Sequence, residues 1–61
     1  MFRIIKIEKG ADVCSAETIV YDVALAETYE EAIEWATRRK VNDLPHDYYV
    51  LDLERGKGYR V

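Results

Sequence analysis

Cys14 and His46 are the only thiol and the only imidazole in the chain. A zinc site needs about four ligands at short spacings, so no metal site is expected. Cys14 could act as a nucleophile with His46 as its base only if the fold happened to bring them together. The plainer expectation is an unreactive loop thiol and a solvent-exposed histidine ahead of a strand. Glu30, Glu31 and Glu34 are a second candidate set. Paired carboxylates do acid–base work when burial separates their pKa values, and the outer side of a helix gives no such burial. No nucleophile, base and orienting group assemble from these residues. The chain is therefore expected not to be an enzyme and to need no cofactor.

Six of the nine basic residues form two clusters, Arg38-Arg39-Lys40 and Arg55, Lys57 and Arg60. If these met in space, with Tyr59 between them, they would make a phosphate-binding patch for a nucleic acid. The glycine-rich stretch RGKGYR lacks the GxxxxGK[ST] spacing of a nucleotide-binding loop. Cations at a helix C-terminus also complement its dipole, and cations on an edge strand discourage aggregation. The aromatic residues point to a different chemistry. Trp35 falls on a helix flank, about 120° from the core stripe, where Arg39 four residues on could stack over it. Tyr48 and Val50 fall opposite Tyr49, Leu51 and Leu53, and Val20 would join them from a neighbouring strand. With one helix covering one face, Tyr48, Val50 and Val20 are expected on the open face. An apolar, aromatic sheet face of that kind marks an interface.

The elements that must position these residues are short. Phe2 to Glu8 reads as an Ile-rich strand in which Phe2 and Ile4 share one face and Ile5 and Ile7 the other. Such a strand is buried on both sides or carries a bulge near Ile4–Ile5, and an interior position is expected. Residues 9–17 have no period and read as a long connection. Thr18 to Ala26 alternates, with Ile19, Tyr21, Val23 and Leu25 on the apolar face. Thr28-Tyr29-Glu30-Glu31 is a capping box, and it predicts a helix from Tyr29 to about Lys40. Tyr29, Ala32, Ile33 and Ala36 form its inward stripe, and Glu34 sits four residues before Arg38 in the favourable order. Pro45 forbids continuation, and Leu44 is expected to plug the core. Tyr48 to Glu54 reads as a third strand with Tyr49, Leu51 and Leu53 inward. Arg55 to Gly58 reads as a turn, and Tyr59 to Val61 as a short edge strand.

The fold class is therefore α+β: a single β-β-α-β-β domain over residues 1–61, with a four-stranded, mainly antiparallel sheet and one helix on one face. This layout is similar to that of many small phage- or plasmid-encoded proteins, some of which inhibit host nucleases. The likeness is one of layout and size, and carries no functional residue with it.

Composition narrows the remaining classes. The chain has 61 residues, 49% apolar and 34% charged, with a net charge of −3. That balance is globular. A chain of this size buries only ~60% of the surface that its unfolded form exposes, which leaves no room for a deep cleft. The acidic balance disfavours a phosphate backbone as the main partner. With one cysteine no intrachain disulfide forms, so the reducing cytoplasm is the expected compartment. MFRIIKIEKG is too broken by charge to target or span a membrane. The expected function is a small non-catalytic protein-binding module: an inhibitor or regulator of a larger protein, such as a phage-type host-factor inhibitor, or a homodimeric interaction domain. Its expected contact residues are Trp35, Arg39, Tyr48, Val50 and Val20. The alternative is a nucleic-acid-binding accessory protein using Arg38, Arg39, Lys40, Arg55, Lys57, Tyr59 and Arg60.

Overall fold

A computed structural model describes all 61 residues. The elements are β1 (Phe2–Glu8), β2 (Tyr21–Ala26), α1 (Tyr29–Lys40), β3 (His46–Asp52) and β4 (Lys57–Arg60). The sheet order is β2-β1-β3-β4 and every pairing is antiparallel. One helix lies on one side of this sheet, so the Cα trace is only 14 Å thick across a face of 27 × 25 Å. No helix is long and apolar enough to cross a membrane.

The interior place of β1 follows from its residues. Ile4, Ile5 and Ile7 are all buried, and only a strand with neighbours on both edges and apolar groups on both faces can use such a run. β1 pairs regularly with β3, from Phe2–Asp52 to Glu8–His46. Against β2 its register shifts between Ile4 and Ile5: Ile4 faces Ala24 but Ile5 faces Asp22. Val23 is the extra residue, and this bulge decides which side chains of β2 share a face.

The helix starts where the capping box places it. Thr28 is extended, and its hydroxyl accepts the backbone N–H of Glu31 at 3.2 Å. Glu30 and Glu31 lie at the positive end of the dipole, and Arg38, Arg39 and Lys40 at the negative end. Ala32 and Ala36 point into the sheet and are fully buried against Ile4, Tyr48 and Val50, with Phe2, Ile33 and Trp35 packed around them. Small residues at the crossing let the helix sit close. Asp52 closes the β3–β4 hairpin. Its carboxylate accepts the N–H groups of Glu54 and Arg55, while Gly56, at φ +66°, donates to the Asp52 carbonyl at 2.8 Å. Only glycine adopts that φ without strain.

Four expectations are corrected. β2 begins at Tyr21, so Ile19 and Val20 belong to the connection at residues 9–20 and are exposed. β3 and its turn begin two residues earlier than expected, because His46 and Asp47 already pair with β1, and β4 runs over Lys57–Arg60. Leu44 does not plug the core: it is 72% exposed, since the turn at its position directs Asp43 rather than Leu44 inward. The inward face of β3 is also the reverse of the expected one. Tyr48 and Val50 lie under the helix, and Tyr49 and Leu51 face away from it.

The assignment of faces predicts unequal costs for two truncations. Ile4→Ala should destabilise the fold by about 2–5 kcal/mol, as a fully buried aliphatic does. Leu44→Ala should change stability by no more than about 0.5 kcal/mol. Urea unfolding followed by far-UV circular dichroism measures both, and comparable costs would contradict the core described.

Candidate functional site

Cys14 and His46 are not brought together. Cys14 is exposed in the connection, with its backbone N–H donating to Asp12 Oδ1 at 2.9 Å. His46, at the start of β3, presents Nδ1 to Asp43 Oδ1 at 2.8 Å and packs edge-on to Tyr21. A carboxylate only accepts, so Nδ1 carries the proton of that bond. Glu30, Glu31 and Glu34 are exposed, and Glu34 pairs with Arg38. No group of three or more His, Cys, Asp or Glu side chains converges as a metal site would require.

Asp43, which the sequence reading passed over, is the centre of a polar cluster at the C-terminal end of the helix. Its carboxylate accepts from the Tyr48 hydroxyl at 2.7 Å and from Lys6 Nζ at 3.4 Å, besides facing His46. These donors, the His46 bond first, hold the Asp43 carboxyl down to about 2. Tyr48 is pushed up to about 12 by burial and by its bond to Asp43. The cluster explains why a tyrosine sits on the buried face: its ring fills the core while its hydroxyl reaches a carboxylate at the rim. The spacing Asp43…His46…Tyr48 was visible in the sequence, but Lys6 comes from a distant strand.

Arg38-Arg39-Lys40 and Arg55 lie at opposite ends of the helix. Lys40 donates to the Val61 carbonyl at 2.8 Å, whereas Arg55 lies beside Tyr29 and Tyr59 at the helix start. Arg60 is at the Lys40 end, so the second cluster is itself divided. Arg38 pairs with Glu34, Arg55 with Asp52 and Arg60 with Asp47. Tyr59 packs edge-on to Tyr29 at 5.4 Å. The expected continuous basic patch is not formed.

Trp35 is half-buried on the helix flank, and the Arg39 guanidinium stacks 4.8 Å above its ring as the spacing implied. Tyr48 is only 3% exposed and Val50 is wholly buried, so neither lies on an open face. Val20 is exposed but outside the sheet. Trp35 and the open sheet face are on opposite sides of the molecule and do not make one surface.

The face left open is built from other residues. Register gives two cross-strand rows. Leu25, Arg3, Leu51 and Gly58 form one, and Asp22, Ile5, Tyr49 and Arg60 the other. Asp22 and Leu25 share this face only because the bulge at Val23 adds a residue between them. Leu25 is 60% exposed, Leu53 just past β3 is exposed, and Tyr49 and Leu51 are half-buried around Ile5. The charges are already matched: Arg3 lies 3.5 Å from Asp22, and Arg60 lies 3.4 Å from Asp47, which also accepts the Gly10 N–H. Sequence alternation could have found Leu51 and Tyr49, but assigned them inward. No protein family, curated protein or solved structure matches this chain.

The Asp43 cluster sets a pH dependence with two limbs. Asp43 titrates lower in the fold than its ordinary 3.8, so its contribution is full above about pH 4 and is lost as pH falls toward 2. Tyr48 titrates higher than its ordinary 10.0, so its contribution is full below about pH 10 and is lost as pH rises toward 12. Relative to the wild type, Asp43→Asn should flatten the acid limb and Tyr48→Phe the alkaline limb in urea-unfolding series across pH. Limbs unchanged in both variants would contradict the cluster.

Proposed function

We propose that this protein is a small non-catalytic binding module that engages another protein through the helix-free face of its sheet. One observation carries the reading: Leu25, Tyr49, Leu51 and Leu53 remain accessible around Ile5 on the helix-free face. Exposed apolar side chains with an aromatic residue among them, interrupted by Arg3 and flanked by Asp22 and Arg60, have the mixed character of a non-obligate interface. Acting this way, the chain would be a regulator or inhibitor of a larger protein, or an assembly unit. The nucleic-acid reading draws less support, since Arg38, Arg55 and Arg60 each lie within ion-pair distance of a carboxylate.

Two measurements test this choice. With the photoreactive residue benzoylphenylalanine at position 49, irradiation in extract of the native host should yield protein adducts. The same residue at position 37, on the exposed side of the helix, should not. Equal labelling at both positions, or none at 49, would defeat the proposal. A fluorescent oligonucleotide titrated at physiological salt should show no binding. Binding that collapses as salt rises would instead favour the basic residues as the site.

A further inference from the structure

We propose that the helix-free face is the contact between two copies of this chain. The two-fold axis lies in the interface, parallel to the strands and between β1 and β3. This rests on reading that face as a protein-binding surface and names its occupant.

The register of the sheet singles out the axis. With strand order β2-β1-β3-β4, such an axis lays the β2 side of one copy on the β4 side of the other, and β1 on β3. In one cross-strand row, Asp22 then meets Arg60 of the second copy and Ile5 meets its Tyr49. In the other row Leu25 meets Gly58 of the second copy, a large side chain over the residue that has none. Leu51 leans over this glycine so closely that a Cβ there would lie 3.0 Å from its Cδ2. Leu25 therefore lands on a leucine surface, and the stem of Arg3 lies over Leu51. A two-fold axis perpendicular to the strands would instead lay one row on the other, setting Asp22 against Leu25 and Arg3 against Ile5. Of these two axes only the first sets Asp22 against Arg60 and Ile5 against Tyr49, with Arg3 the one charge that it lays over an apolar group. An isologous contact needs this kind of self-complementarity.

Charge also favours a second copy. Arg3, Arg60, Asp22 and Asp47 make the face neutral although the chain carries −3, so two such faces meet without repulsion. A strongly charged partner would find no field to match. Four strands of up to seven residues span roughly 19 × 23 Å at ordinary strand spacing and rise, the scale of a small, weak interface. Two sheets meeting this way would pack about 10 Å apart as a sandwich.

Sedimentation equilibrium from low to high micromolar concentration tests the proposal. The mass should approach twice 7.1 kDa. Leu25→Asp, at an exposed position, should return a folded monomer, with circular dichroism unchanged. Asp22→Lys should weaken association about tenfold, since the pair occurs twice. Adding Arg60→Glu to it should restore association, which no merely structural role for either residue would produce. A wild-type monomer at 300 μM chain would overturn the dimer, as would a dimer that survives Leu25→Asp. If the wild type is monomeric but position 49 still labels a different protein, the binding reading stands and the dimer alone falls. If the wild type is monomeric and position 49 labels nothing, both fall.

Discussion

The structure depends on one shortage: a single helix must serve a four-stranded sheet. A helix of twelve residues is about 18 Å long and 10 Å wide, so it covers one face, while at one end of the other Ile7 and Asp47 are buried where Gly10 of the connection donates to Asp47. β1 answers this by being apolar on both sides, with Ile4 under the helix and Ile5 and Ile7 away from it. Its place at the centre of the sheet sets everything around it. β2 and β3 flank it, β4 falls outside β3, and the helix crosses above Ile4 and Val50.

The bulge at Val23 is the second determinant. Without the extra residue, β2 would present Asp22 on the same face as Ala24 and Ala26, where the helix packs. With it, Asp22 turns to the open face beside Arg3, and the small Ala24 and Ala26 remain under the helix with Val23 packed against the same cluster. One residue thus places a charge in solvent and keeps the helix close to the sheet.

How much of this was legible depended on how local each determinant was. The helix was fully legible, because Thr28, the first-turn acids and the last-turn bases act within a few residues of one another. The interior place of β1 was legible from Ile4, Ile5 and Ile7. The face of β3 was not. Tyr48 and Asp52 look like surface residues beside Leu51 and Leu53, yet both are buried: Tyr48 finds Asp43, and Asp52 caps a turn. A buried polar group is tolerated once it is bonded, and sequence alternation does not show where its partner lies. The candidate site was misplaced for the same reason, since inverting β3 exchanged Tyr48 and Val50 for Tyr49 and Leu51. The stacking of Arg39 on Trp35 was legible because it is confined to one helix.

The pairing of Phe2 with Asp52 bears on how the chain is made. A polypeptide emerges N-terminus first, and β2 and α1 lie between β1 and its partner on one edge, β3. During synthesis Ile4, Ile5 and Ile7 therefore wait for that edge to close until β3 has followed them out of the ribosome. Such non-local closure is slow compared with the formation of a helix or a tight hairpin. In that interval the most apolar stretch of the chain is exposed, with Arg3 and Lys6 as the charges within it that keep it in solution.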